Sequence, residues 1–79
     1  MGVQLLSRLD NGEKGRIVKI RGEAGMHRYL FELGLVVGRV IVVEKTNMAL
    51  LADPIEVRVN GSVLSLEKDI ATSIHVEVA

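Results

Sequence analysis

The residues of this chain that could bind a metal ion are two histidines and a glutamate. His75 and Glu77 stand two positions apart where apolar and polar residues alternate, which is typical of a strand. Side chains two positions apart on a strand share a face, so both could bind one ion, and His27 could add a ligand if the fold brought it near. Because Ile74 and Val76 occupy the opposite face, we expect His75 and Glu77 to face solvent. We predict no firm metal site and no required cofactor, with weak binding of iron or zinc as the alternative.

The other polar residues do not indicate catalysis. A serine nucleophile needs a base within hydrogen-bond reach, but Ser62 follows a turn and Ser65 alternates with leucines, as surface strand residues do. Cysteine is absent, which excludes disulfides, thiolate metal sites and cysteine nucleophiles. The glycines between residues 12 and 25 lead into no Gly-Lys-Ser/Thr step, so they form no nucleotide-binding P-loop. We predict that the chain is not an enzyme.

Ten basic and ten acidic side chains give the 79 residues a formal net charge of zero. A dedicated nucleic-acid-binding protein usually shows a basic excess, so we expect no nucleic acid partner. No apolar run comes near the roughly 20 residues that cross a bilayer, and no signal segment is visible. With 48% hydrophobic residues the chain can form a dense aliphatic core, and we predict one soluble domain over residues 1–79.

The clearest strand pattern predicts a hairpin over residues 55–66. Residues 55–60 alternate apolar and polar side chains, which is typical of a strand with one buried face. Asn60-Gly61 is the strongest short hairpin signal, because a type I′ turn needs two residues with positive φ. Residues 63–66 would then return as the partner strand.

Further strands are predicted at residues 15–21, 39–45 and 74–78. In the middle one of these, Val40 to Val43 form an uninterrupted run rich in β-branched residues. Such a run is too short for a helix, and it predicts a strand that is buried on both faces or lies next to a barrel corner.

One segment, about residues 25–33, has the 3.6-residue periodicity of a helix. Phe31 lies off its apolar stripe, so we expect this side chain to be partly exposed. Gly34 suits the left-handed position that follows a helix, and Gly38 closes the next turn. The stripe itself consists of Met26, Tyr29, Leu30 and Leu33.

Together these elements give a mainly β chain of five or six short strands. One helix follows the first long strand, and a short helical turn within residues 66–71 precedes the last strand. Turns recur every eight to twelve residues, which is typical of a small barrel or sandwich.

Residues 25–44, GMHRYLFELGLVVGRVIVVE, closely resemble the signature of the FeoA family, in which a short helix ends in Leu-Gly-Leu before a glycine-bearing turn and an apolar strand. The opening strand at residues 15–20, the step at residues 53–55 and the ending at residues 70–76 also match that family, in the right order. Val37 stands where many relatives carry proline, which should alter the rigidity of the turn. The resemblance covers nearly the whole chain.

The resemblance implies a small SH3-like β-barrel and a cytoplasmic accessory of the ferrous-iron transport system. Such a protein would bind the GTP-binding domain of the ferrous-iron membrane transporter and would meet the membrane only through that partner. The same module resembles the C-terminal domain of iron- and manganese-dependent repressors. The alternatives are therefore a metal-binding or metal-sensing module that uses His27 and His75, or a detached repressor-type domain that binds a regulator.

Two surfaces are candidates for the partner contact. The loop of residues 47–52 carries Met48, Leu50 and Leu51, which either cap the core or form an exposed apolar docking patch. Exposed apolar residues of this kind also make a homo-oligomer plausible. The second candidate is the polar side of the predicted helix, with His27, Arg28 and Phe31.

Overall fold

The computed structural model describes residues 2–45 and 54–78, which form one six-stranded antiparallel sheet and two helices. The mainly β class, the helix after the long strand and the helical turn before the last strand are all confirmed. In space the strands lie in the order β1-β6-β2-β3-β4-β5, so β1 and β5 are the edges. The elements are β1 (Gly2–Leu5), a 3₁₀ turn (Leu6–Arg8), β2 (Lys14–Ile20), α1 (Ala24–Glu32), β3 (Val40–Lys45), β4 (Ile55–Val59), β5 (Ser62–Leu66), α2 (Lys68–Ala71) and β6 (Ile74–Val78).

A single aliphatic core joins the inner face of the sheet to both helices and the 3₁₀ turn. No polar or charged side chain is buried within the described ranges, and neither aromatic residue belongs to the core. Each fully buried aliphatic side chain contributes about 1.5–3 kcal/mol relative to exposure. The core residues are Leu6, Leu9, Ile17, Leu30, Leu35, Ile41, Val43, Ile55, Val57, Val59, Leu66, Ala71, Ile74 and Val76.

Strand β2 contains a bulge that shifts its alternation by one residue. Ile17 pairs with Val76 of β6, but Lys19 pairs with His75, so Val18 is the extra residue between them. A bulge of this kind leaves one residue without a partner and changes which side chains face the core. It explains why Val18 and Lys19 are both exposed although they are adjacent.

Strand β3 covers the core with one face only, so the first of the two alternatives predicted for residues 40–43, burial on both faces, was wrong. Ile41 and Val43 are fully buried, whereas Val40 is 42% exposed. Val40 pairs with Arg16 of β2, and that pair lies on the outer face of the sheet. An alternating antiparallel strand therefore carries valine on its solvent side.

Helix α1 presents a narrower apolar stripe to the core than the sequence predicts. Leu30 is fully buried, and Met26 and Leu33 are partly buried against the core. Tyr29, which we placed on the stripe, is 45% exposed. Successive helix residues are about 100° apart, so Tyr29 lies at the edge of the stripe that the other three residues define. Phe31 is 69% exposed, in agreement with its predicted position.

The C-terminal end of α1 is a Schellman motif. The Gly34 N–H donates to Phe31 O at 2.9 Å, and the Leu35 N–H donates to Leu30 O at 2.8 Å. Gly34 has a φ of 86°, the left-handed conformation that this position requires. Leu30 and Leu35 are both fully buried, so the end of the helix is anchored in the core.

The hairpin of β4 and β5 has the predicted two-residue turn. Val59 pairs with Ser62 on either side of it. Asn60 and Gly61 have φ values of 52° and 79°, as a type I′ turn requires.

Candidate functional site

The outer face of α1, which we define as His27, Arg28 and Phe31, is exposed throughout. His27 and Phe31 are four residues apart and therefore lie on the same side of the helix. Phe31 has the largest exposed fraction, 69%, among the large hydrophobic side chains of the described residues. The face thus combines an aromatic ring with a guanidinium and an imidazole, groups that suit contact with another protein.

The packing of α1 fixes the orientation of this outer face. Leu30 is anchored in the core, so the next residue, Phe31, must point away from it. The Schellman motif holds the C-terminal end of the helix, and the His27 N–H donates to Glu23 O at 3.1 Å in the first turn. Phe31 is consequently presented on a fixed helix rather than on a loop.

The turn between α1 and β3 adds an exposed apolar residue, Val37, that sequence reasoning did not select. Val37 is 62% exposed. The Arg39 N–H donates to Val36 O at 3.0 Å and closes the turn, in which Gly38 has a φ of 96°. Val37 follows Phe31 by six residues and lies beyond the end of the helix, so helical periodicity does not predict its position. Its exposure depends on the path of the turn.

Hydrogen bonds hold this turn against the rest of the molecule. The Gly38 N–H donates to Ile17 O at 2.7 Å, and the Ile17 N–H donates to Arg39 O at 2.9 Å. The Arg39 Nη1 donates to Asn60 Oδ1 at 2.6 Å. These bonds tie the connection that follows α1 to strand β2 and to the β4–β5 turn.

The other predicted docking segment lies outside the described residues. Met48, Leu50 and Leu51 fall between residues 45 and 54, so their role in partner contact stays a prediction. The outer face of α1 is the candidate that the structure allows us to develop.

The three predicted metal ligands do not form one group. His75 and Glu77 lie on the outer face of β6, paired with Lys19 and Arg16 of β2. Glu77 is exposed, whereas the Nε2 of His75 is buried and has no hydrogen-bond partner among the described residues. Within residues 2–45 and 54–78, no three His, Cys, Asp or Glu side chains, His27 included, are grouped closely enough to hold a metal ion.

The outer face of the sheet is of mixed charge. Lys14, Arg16 and Lys19 of β2 are exposed there, but Glu77 pairs directly with Arg16. Isolated valines, such as Val3 and Val63, are scattered among these charges. This surface has neither the basic excess of a nucleic-acid-binding face nor a continuous apolar patch.

One ion pair links β3 to β4 on the same face. The Arg58 Nε donates to Glu44 Oε2 at 2.9 Å. This hydrogen bond, together with the charge of the guanidinium, holds the pKa of Glu44 below its usual value and raises the pKa of Arg58. Both groups are accessible to solvent, so the pair is a surface feature.

The FeoA domain family model matches residues 4–78, which is nearly the full length of the chain. This chain belongs to the FeoA family. A crystal structure described as the iron uptake regulatory protein FeoA has a TM-score of 0.91 and 28% identity, and the match covers 99% of this chain and 100% of that one. The solution structure of FeoA from Chlorobium tepidum is 35% identical, with a TM-score of 0.82 and coverage of 95% and 70%.

The fold of this FeoA-family chain is also found within a larger metal-dependent repressor. The crystal structure of T. acidophilum IdeR has a TM-score of 0.86 and 25% identity, and the match covers all of this chain but 35% of that one. The shared part is the SH3-like domain at the C-terminus of such repressors. Among curated proteins, none matches the chain significantly.

The FeoA family is linked to ferrous iron transport. In the described parts of this FeoA-family chain, no helix is long and apolar enough to cross a membrane.

Proposed function

We propose that this FeoA-family protein is a non-enzymatic, cytoplasmic accessory of ferrous iron transport that binds the cytoplasmic GTP-binding domain of the ferrous-iron permease. Its family and the name of the FeoA structure it resembles, an iron uptake regulatory protein, support a role in iron transport. The proposal that a protein partner binds the outer face of α1 depends on the exposure of His27, Arg28 and Phe31.

The observation that carries the partner-binding role is the exposure of Phe31. The Phe31 side chain is 69% exposed and is not part of the core, which is built from aliphatic residues alone. Its ring therefore contributes little to the stability of the fold. Large aromatic side chains and arginine are enriched at protein interfaces, where burial of the ring and of the arginine stem stabilises the complex. Phe31, with Arg28 beside it, is therefore the best anchor for a partner.

Binding would regulate the transporter by favouring one of its conformational states. A partner shifts such an equilibrium only as far as its affinities for the two states differ. We therefore expect the affinity for the GTP-binding domain to depend on whether that domain holds GDP or a GTP analogue.

The test is a titration of the isotope-labelled protein with the GTP-binding domain of the cognate permease, followed by backbone amide NMR shifts. We expect shifts concentrated around His27, Arg28 and Phe31 that differ between GDP and a GTP analogue. Phe31→Ala should reduce these shifts, and Val63→Ala, which removes an exposed apolar side chain from β5, serves as the matched control. The absence of shifts in both nucleotide states would refute direct docking on that domain.

The buried, unpartnered Nε2 of His75 favours a second function, metal binding or sensing. An imidazole nitrogen without a hydrogen-bond partner can bind a divalent ion, and Glu77 lies two residues away on the same face. Binding of Zn²⁺ or Fe²⁺ in a one-to-one ratio, lost in His75→Ala and in His75→Ala with His27→Ala, would support this function. Identical metal binding by the parent and His75→Ala would refute it.

A further inference from the structure

A groove separates the N-terminal segment from α2, on a part of the molecule that the proposed partner contact does not use. Its volume is about 510 Å³. Its walls carry two cations and three neutral polar side chains, but no carboxylate. The lining residues are Gln4, Leu5, Ser7, Arg8, Lys68 and Thr72.

The two cations of the groove start from backbone positions that the core holds in place. Arg8 lies in the 3₁₀ turn between the buried residues Leu6 and Leu9, and the Leu9 N–H donates to Leu6 O at 3.2 Å. Lys68 begins α2, which is anchored by the fully buried Ala71.

The charges of the groove are not neutralised by the protein. Neither Arg8 nor Lys68 forms an ion pair with any residue in ranges 2–45 and 54–78. The nearby carboxylate of Asp69 accepts a hydrogen bond from the Ile70 N–H at 3.0 Å, and it does not line the groove. Like charges that border one concavity repel each other, and an anion between them relieves that repulsion.

The hydrogen-bonding groups beside the cations are donors that an oxyanion can use. Ser7 forms no hydrogen bond with the described residues, so its hydroxyl is available, and Gln4 adds an amide N–H at the edge strand β1. The Thr72 hydroxyl is the exception, because it already donates its only proton to Asp69 O at 2.8 Å and therefore only lines the wall of the groove. An arginine fork, a lysine ammonium and a hydroxyl are the groups that commonly bind phosphate.

We propose that this groove binds the phosphate group of a small anionic ligand. The volume lies within the roughly 300–1,000 Å³ of small-molecule sites, so there is room for more than the phosphate itself. Leu5 supplies an apolar wall against which an organic part of the ligand can pack. This inference is independent of the proposed transporter contact, because the two surfaces share no residue.

The test is a titration of labelled protein with inorganic phosphate and, in a second arm, ribose 5-phosphate, at a constant ionic strength of about 0.15 M maintained with chloride. We expect saturable amide shifts at Ser7, Arg8 and Thr72, with a dissociation constant of about 1 mM or less. Tighter binding of ribose 5-phosphate would identify an organic phosphate as the ligand, and equal binding would identify phosphate itself; both results support the site.

Charge-neutral variants distinguish a site from general attraction of anions. Arg8→Gln and Lys68→Gln should each weaken binding about tenfold, because each removes a hydrogen bond to a charged group. Arg21→Gln after β2 and Lys14→Gln on β2 remove an equal charge elsewhere and should bind as the parent does. All four side chains are exposed, so the fold should be unaffected. Non-saturable shifts, or equal losses in the two control variants, would overturn the proposal.

Discussion

The inner face of the sheet and helix α1 place their side chains differently. Ile17, Val57 and Ile74 on the inner face are fully excluded from solvent. Helix α1 buries Leu30 to the same degree, but it leaves Tyr29 and Phe31, the only two aromatic side chains in the sequence, 45% and 69% exposed. Both aromatic side chains thus lie on the solvent-exposed part of a helix that buries only Leu30 completely.

The side chains that stabilise the fold and the side chains that we propose bind a partner therefore lie on different surfaces. The stability of a small domain comes mainly from apolar surface removed from water, and here that surface is aliphatic and largely on the sheet. The aromatic surface on α1 is the part that we propose a partner buries. Substitutions on the inner face of the sheet should therefore change the free energy of unfolding, and substitutions on the outer face of α1 should change binding.

The largest effect on stability is expected from Ile74→Ala on the inner face of β6. This side chain is fully buried, so its truncation loses transfer free energy and leaves a cavity, at a cost of about 2–5 kcal/mol. Urea denaturation of the variant and the parent measures the difference. If Ile74→Ala lowered the free energy of unfolding no more than Phe31→Ala does, the claim that the sheet rather than the outer face of α1 provides the stability would be contradicted.

An intermediate effect is expected from Gly15→Ala, where β2 packs closely against β6. A Cβ at Gly15 would lie 3.0 Å from the Cβ of Val76, a fully buried side chain that cannot move away. We expect a loss of about 1–3 kcal/mol from overpacking. Gly25→Ala in α1 is the matched control, because its Cβ would meet no atom within 4 Å.

The control should change stability in the opposite direction. Alanine favours a helix interior over glycine by about 0.5–1 kcal/mol, so Gly25→Ala should raise the free energy of unfolding by up to that amount. Thermal denaturation of both variants checks the signs. Equal destabilisation by the two substitutions would mean that the close approach of β2 to β6 is not the cause of the loss of stability in Gly15→Ala.

A smaller effect, which changes with pH only in the acidic range, is expected from the Glu44–Arg58 ion pair. The pKa of Glu44 is lower in the folded chain than its usual value of 4.5, so the pair stabilises the fold above that pH. This contribution is lost as the pH falls through the lowered pKa. In Glu44→Gln, denaturation midpoints should depend less on pH below neutrality than in the parent and in Glu32→Gln, a control on α1. Identical pH profiles would show that the pair contributes nothing.

Local patterns in the sequence were enough to predict the elements whose structure is decided within a few residues. The hairpin of β4 and β5 follows from alternation and from Asn60-Gly61, and the end of α1 follows from Gly34. Phe31 could be predicted to be exposed because it lies off a helical stripe. These features depend on backbone preferences and periodicity, which neighbouring residues determine.

Features that depend on distant partners could not be predicted. The bulge at Val18 exists only because β2 pairs with β6, and nothing in residues 14–20 indicates it. Strand β1 has little alternation, and it forms because β6 offers an edge for pairing. The exposure of Tyr29 and of Val37 likewise depends on how α1 and the following turn sit on the sheet.

The phosphate groove is the clearest case of this limit. Arg8 and Lys68 are sixty positions apart in the sequence, and neither is part of a recognisable motif. The packing of the 3₁₀ turn near α2 brings them to one concavity. Only the tertiary structure could indicate this site.

The most direct test of the account is the affinity of Phe31→Ala for the permease's GTP-binding domain, measured by isothermal titration calorimetry together with its free energy of unfolding. The account predicts binding at least about tenfold weaker than that of the parent, because a central aromatic anchor is removed. Stability should change by no more than about 0.5 kcal/mol, as for other surface substitutions. Val63→Ala should match the parent in both measurements. Parent-like affinity in Phe31→Ala would contradict the claim that the outer face of α1 is the binding surface.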